Sequence, residues 1–437
     1  MGNLLAGAAK IDITPTTEIL EKSKNESPRH AFEGIYERTY ARIIAVSDGQ
    51  QKVLLITADL GMIPGQRKIQ KRLQETYQID PLAIVFGATH NHQTIMCHEK
   101  GEGPADMAPL PPSGEMYIQY IADRIVEGCG MALQSMVPAR MGVGSGSSYL
   151  NVCRDCPSPI GAIQAANFHG PSDKELLVVR FDAVETSKPL ALLVNFAMHG
   201  NVMFGNLLDR SFPYISGDLP GAIAERAEER LDCIVGWAIG AAGDQNPIYT
   251  SFVADYAKDE AGGYTSQMHT LKAEDNLTML NRMANIQAEE ITAISDSISD
   301  YTDTFSWCGA ETTRTVPARK SYRSLGYEGP SKDMSPFVED PDHLVTLIFR
   351  LVTLCGCAFA GVNGEIYSNL GKLIKSLIPY PHTFVSEMQF GHVGYIPDAE
   401  TEKIGGFGTC ATYCRSGAET EAAIRDGFSE LINRVQP

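Results

Sequence analysis

The chain has 437 residues, 43% of them hydrophobic and 20% charged, enough apolar material for a large buried core. A formal charge of −17 excludes a protein that neutralises phosphates in bulk, so no nucleic-acid partner is expected. No run approaches the roughly 20 apolar residues of a membrane span, and the Met1-Gly2-Asn3-Leu4 start lacks the basic and long apolar regions of a signal peptide.

In chain order, Ala8 to Thr14 is strand-like, and Ala41 to Val46 and Val53 to Ala58 read as paired strands around the Ser47-Asp48-Gly49 turn. Gln66 to Gln78 has helical spacing, Ala83 to Phe86 is a short buried strand, and Met116 to Gln134 is a long amphipathic helix. Strands follow at Leu176 to Phe181 and Leu190 to Phe196, then a helix from Pro220 to Leu231 and a strand from Cys233 to Ile239. Ser251 to Leu271 is polar and reads as an insertion or lid, followed by a helix from Glu274 to Ser297. Ser321 to Asp342, rich in Gly, Pro and charge, reads as a surface loop, and Ile366 to Leu377 and Glu419 to Val435 as helices. Strands alternating with helices predict an α/β fold of mixed β-sheets with flanking helices, in one domain spanning 1–437 with the insertion at 251–271.

Ten cysteines include the pairs Cys153/Cys156, Cys355/Cys357 and Cys410/Cys414. Without an export signal they predict reduced thiols in a cytoplasmic protein. Cys153 and Cys156 have the spacing of a redox or metal pair, but no second CxxC follows at zinc-ribbon spacing.

Three places share one design, an apolar run that ends in a small-residue turn with a metal-capable side chain. They are Ile84-Val85-Phe86-Gly87-Ala88-Thr89-His90-Asn91-His92, Leu192-Leu193-Val194-Asn195-Phe196-Ala197-Met198-His199-Gly200, and Phe359-Ala360-Gly361-Val362-Asn363-Gly364-Glu365 leading into the helix near Ile366. Side chains two apart on a strand share a face, so His90 and His92 can converge on one ion or substrate. In open α/β sheets ligands gather at strand C-terminal ends, where these residues emerge. Each also has a purely structural alternative: a hydrogen-bonded His, or for Glu365 a helix-dipole partner. Ile239-Gly240-Ala241-Ala242-Gly243-Asp244-Gln245-Asn246-Pro247 is a fourth element, read as either a close backbone approach to ligand or an Asx turn.

The sequence resembles the neutral/alkaline, non-lysosomal ceramidase family in its catalytic domain. The resemblance rests on Ala88-Thr89-His90-Asn91-His92, Phe196-Ala197-Met198-His199-Gly200, Ile215-Ser216-Gly217-Asp218, Gly364-Glu365 and Gly394-Tyr395-Ile396-Pro397. It implies a zinc ion held by His90, His199, Glu365 and Tyr395, serving as Lewis acid and source of hydroxide. It further implies that His92 moves protons or steadies an oxyanion, and that Arg154 contacts substrate. The family's Gly-Asp-Val-Ser-Pro-Asn segment appears as Gly243-Asp244-Gln245-Asn246-Pro247, so Asn246 stands where the family has an active-site Ser. The family's second active-site Tyr falls on Phe407, which cannot donate a hydrogen bond, leaving Tyr367 or Tyr413 to take that place. The family's C-terminal immunoglobulin-like domain is expected to be absent. Retained ligands with altered substrate-facing groups predict a zinc-dependent amidohydrolase acting on a small or polar N-acyl compound and not on ceramide. The alternatives are zinc-dependent ester hydrolysis, or a metal-containing binding protein without turnover.

Overall fold

A computed structural model describes residues 2–26, 31–99, 101–102, 110–158, 161–258, 264–320, 339–405, 407–410 and 414–435. The expected strand pair is present, with Tyr40–Ser47 antiparallel to Lys52–Ala58. These two strands belong to a nine-stranded mixed sheet. Its spatial order is Ile234–Ile239, Pro189–Phe196, Glu175–Ala183, Val137–Ser147, Leu5–Asp12, Tyr40–Ser47, Lys52–Ala58 and Ile84–Ala88, with Tyr301–Thr302 paired to Val137–Ser147.

The sheet folds back so that its two ends meet. Gly87 and Gly236 permit this: a Cβ on Gly87 would lie 2.7 Å from Ala238 Cβ, and one on Gly236 would lie 2.9 Å from Thr57 Oγ1. Ile84–Ala88 runs parallel to Lys52–Ala58, and Pro189–Phe196 runs parallel to Ile234–Ile239. Strands from opposite ends of the sheet can therefore deliver His90 and His199 to one place. Helices cover the strands. Pro112–Gln134 packs on Leu5–Asp12 and Tyr40–Ser47, and Ala273–Ser297 packs on Val137–Ser147 and Glu175–Ala183.

A second sheet holds Trp307–Arg319, Glu339–Leu354, Cys357–Val362 and Thr383–Ser386. The helix Gly417–Val435 packs on it through Phe428, whose ring centroid is 5.5 Å from that of Phe349. Asn195 joins the sheets. Its Nδ2 donates to Val385 O at 3.0 Å and its Oδ1 accepts from Val385 N at 3.2 Å, satisfying a buried amide in full view of an apolar core.

Several expectations change. Ser251 to Leu271 contains two strands, Phe252–Lys258 and Tyr264–Thr270, paired antiparallel from Phe252↔Thr270 to Lys258↔Tyr264. Residues 321–338 of the expected surface loop lie outside the described residues, and 339–342 begin the long strand Glu339–Leu354. The helix expected from Ile366 starts at Ser368, because Glu365–Ile366 forms a short strand parallel to Tyr395–Ile396. Cys97, Cys129, Cys153, Cys156, Cys233, Cys308, Cys355 and Cys357 are free thiols.

Candidate metal centre

His90 and His92 do not share a strand face. The strand ends at Ala88, and His90 has φ 54°, in the left-handed region. The turn is held by Asn91, which forms a parallel bridge with Gly200, while His92 N donates to Gly200 O at 2.9 Å. Asn91 Nδ2 donates to Ser216 O at 2.7 Å and Asp59 O at 3.3 Å. One residue thus aligns the His90-Asn91-His92 segment with His199-Gly200. The available ligand atoms of His90, His92 and His199 all lie within 4.8 Å of one another.

The ring orientations are fixed by backbone carbonyls. His90 Nδ1 lies 2.9 Å from Gly61 O, and His199 Nδ1 lies 3.1 Å from Gln245 O. A carbonyl only accepts, so each Nδ1 carries a hydrogen and each Nε2 is left to face the site. Both point at Glu365 Oε2, at 3.4 Å from His90 and 3.3 Å from His199. Burial raises the Glu365 carboxyl, but His90, His199 and His392 outweigh it and hold the group well below the usual carboxylate range. Burial, with the Arg154 and His90 charges, drives the His199 imidazole down to about 3. The neutral His199 therefore turns an Nε2 lone pair toward the Glu365 carboxylate oxygen, with no proton between them. His90 Nε2, His92 Nε2 and Glu365 Oε2 are buried without a hydrogen-bond partner among the described residues. This donor set fits a divalent cation of the kind that imidazole and carboxylate bind together.

Glu365 is placed by its short ladder, in which Tyr395 is its register partner. Tyr395 is buried against Glu365 and lies under Arg154, whose guanidinium carbon is 5.1 Å from the ring centroid. Burial, then the Glu365 charge, pushes the Tyr395 phenol up while Arg154 opposes them. Arg154 is 3% exposed, so it is no surface arginine. Its Nη2 donates to Gly243 O at 2.6 Å. Its Nη1 makes longer approaches, 3.4 Å each, to Asn246 Oδ1 and His199 Nε2. Asn246 Oδ1 also accepts from Asn201 Nδ2 at 3.1 Å. His92 packs edge-on against Phe204 at 4.9 Å, and burial plus the neighbouring His90 and His199 lower its imidazole well below the ordinary range.

All seven candidate residues are thus in one neighbourhood: His90, His92, His199, Glu365, Tyr395, Arg154 and Asn246. Gly243-Asp244-Gln245-Asn246 is a close-approach element, since a Cβ on Gly243 would sit 2.6 Å from Glu365 O. Asp244 adds no Asx turn of its own; it accepts from Ser368 N and Ser368 Oγ at 2.8 and 2.9 Å, anchoring the helix that follows Glu365. Tyr367 is buried beside Asp155, while Tyr413 and the Phe407 side chain lie outside the described residues. Sequence reasoning missed His392, whose Nε2 is 2.8 Å from Glu365 Oε1. The signal available was a histidine between two glycines, three residues before Tyr395.

The chain belongs to the neutral/alkaline non-lysosomal ceramidase family, whose N-terminal profile matches residues 4–316. The fold is that of neutral ceramidase structures. It is similar to the neutral ceramidase from Pseudomonas aeruginosa at a TM-score of 0.72 and 16% identity, over 99% of this chain and 74% of that one. A ceramidase structure complexed with C2 gives a TM-score of 0.70 and 16% identity, over 99% and 75%. Family and fold support a hydrolase with mixed sheets and flanking helices, and the three-histidine group can hold a metal ion. No helix among the described residues is long and apolar enough to cross a membrane.

Proposed function

We propose that the chain is a zinc-dependent amidohydrolase that cleaves an N-acyl bond in a substrate smaller or more polar than ceramide. The observation that carries the reading is the convergence of His90 Nε2 and His199 Nε2 on Glu365 Oε2, at 3.4 and 3.3 Å in a buried site. His90, His199, Glu365 and Tyr395 would hold the ion. When bound, zinc supplies polarisation of a carbonyl and acidification of water.

The remaining roles belong to protein groups. His92, kept neutral by its surroundings, offers an unpartnered Nε2 that can take up a proton and return it to a leaving amine. Arg154 is a permanent cation locked to Gly243 O, suited to orient a carbonyl or carboxylate oxygen. Asn246 accepts from Arg154 and Asn201 through Oδ1, which leaves its amide as a donor where the family has a hydroxyl. That exchange, with Phe407 in place of a Tyr, supports a non-ceramide substrate. The free thiols agree with a cytoplasmic setting.

The test is elemental analysis of the purified protein, followed by turnover of N-acyl amides, esters, short peptides and a long-chain ceramide. Stoichiometric zinc with N-acyl amide turnover abolished by His199→Ala supports the reading. Absence of zinc, or turnover indifferent to His199→Ala, overturns it. Ester-only turnover selects the ester hydrolase, zinc without any turnover selects a binding protein, and robust ceramide hydrolysis overturns the substrate preference.

A further inference from the structure

Both Glu365 oxygens face histidines, and only one side belongs to the ligand set described above. Oε2 faces His90 and His199; Oε1 receives His392 Nε2 at 2.8 Å. A carboxylate only accepts, so His392 Nε2 carries the hydrogen in this contact. His392 is itself held in place. Its N–H donates to Glu102 O, Val393 N donates to Asn363 O at 2.8 Å, and Gly394 O accepts from Glu365 N at 3.1 Å. The flanking glycines have φ 142° at Gly391 and 80° at Gly394, conformations an L side chain rarely adopts. A Cβ on Gly391 would also approach Glu102 O to 3.1 Å. The loop is thus pinned to two other segments, and its one imidazole reaches the carboxylate from the side away from His90 and His199.

We infer that His392 is a positioning residue that occupies Glu365 Oε1 and so presents the carboxylate to the metal through Oε2 alone. The inference rests on the metal-site reading above. A free carboxylate rotates about its last torsion and can offer either oxygen or both. A charge-assisted hydrogen bond on one oxygen removes that freedom and fixes which lone pair the ion meets. His392, Glu365 and Tyr395 then form one unit, because the same loop carries His392 and the register partner of Glu365.

The experiment compares His392→Phe, which removes the donor, with His392→Gln, whose side-chain N–H can reach the same oxygen. Zinc affinity is measured by competition with a chromophoric chelator, and ligand geometry by the visible absorption of the cobalt(II)-substituted protein. His392→Phe is expected to weaken zinc binding by roughly 10–100-fold and to alter the cobalt spectrum. His392→Gln is expected to recover most of that affinity. Wild-type affinity and an unchanged spectrum in His392→Phe overturn the inference, as does His392→Gln binding no better than His392→Phe. If His392→Phe does not fold by circular dichroism, His392→Ala supplies the same contrast. Wild-type protein that takes up neither zinc nor cobalt stoichiometrically overturns the metal-site reading and this inference together. Wild-type binding with insensitive His392 variants overturns this inference alone.

Discussion

Glu365 and Tyr395 are register partners in a parallel ladder only two residues long, with Ile366 opposite Ile396. The ladder is closed by Glu365 N to Gly394 O and Tyr367 N to Ile396 O, each 3.1 Å. On its other side Gly243 N donates to Ile366 O at 2.9 Å. There is no space at Gly243 for a side chain: a Cβ would meet Glu365 O at 2.6 Å and Tyr367 Cδ1 at 2.9 Å. Gly243→Ala must push the ladder away from the histidines. The expected outcome is a stability loss of about 1–3 kcal/mol from overpacking, with zinc content falling below that of wild type. Thermal unfolding and metal analysis check it; wild-type zinc content at wild-type Tm would refute the tight-contact argument.

Arg42 and Asp59 predict a second effect. Arg42 Nη1 donates to both Asp59 oxygens at 3.1 and 3.0 Å, and its Nε donates to Glu228 at 2.8 Å. Both Arg42 and Asp59 side chains are 1% exposed, and the Asp59 backbone carbonyl supports Asn91 between the two histidines. Removing only the cation leaves a buried carboxylate uncompensated, which costs about 3–5 kcal/mol. Arg42→Met should therefore lower the unfolding free energy by that amount, read in urea as a lower midpoint at an unchanged slope. A loss below about 1 kcal/mol would show that Asp59 finds water or another partner.

The main strands and helices were legible because apolar periodicity reports burial, and the buried faces are real. The same logic failed at Ile366. This residue is fully buried in the same core as Leu370 and Ile374 of the helix, so its side chain continues the helical spacing although its backbone is in the ladder. Strand alternation is the wrong local reason for His90 to face the site, since it cannot anticipate a residue with φ 54°. What brings the histidines together is Asn91, whose bridge to Gly200 spans more than a hundred residues and leaves no periodic trace. Tyr395 came from family resemblance alone. His392 escaped because a lone loop histidine has no partner in sequence; its partner is Glu365, 27 residues away.

The pH dependence of stability offers a third test at Glu37, away from the metal ligands. Burial, then the Glu225 charge, raises the Glu37 carboxyl from 4.5 to about 7, although Arg226 opposes this. In the unfolded chain Glu37 ionises near 4.5, whereas the folded protein keeps the proton to about 7. Between these values the folded state binds more protons, so this group's contribution falls as pH rises through that window. The ceiling is about 3 kcal/mol, reduced by the solvent that reaches a partly exposed side chain. Glu37→Gln should leave stability unchanged below pH 4.5 and progressively exceed wild type up to pH 7. Parallel wild-type and mutant curves in urea across that range would remove Glu37 as the cause.

Asp218 carries the last prediction, which concerns the support of His199. Its Oδ1 accepts from Val202 N at 3.1 Å and Leu219 N at 2.6 Å, and its Oδ2 accepts from Met203 N at 3.1 Å. These bonds fasten the segment immediately after His199-Gly200 to the start of the helix Asp218–Leu231. Asp218 has φ 48°, a conformation that Asn tolerates and Ala does not favour. Asp218→Ala leaves three buried N–H groups without acceptors, each costing about 1–3 kcal/mol before relaxation. It should lower Tm and weaken zinc binding, because the chain beyond His199 loses its anchor. Asp218→Asn keeps one acceptor and the backbone conformation, so it should fall between wild type and Asp218→Ala in both measurements. If Asp218→Ala lowers Tm but binds zinc as tightly as wild type, the anchor stabilises the fold without positioning His199.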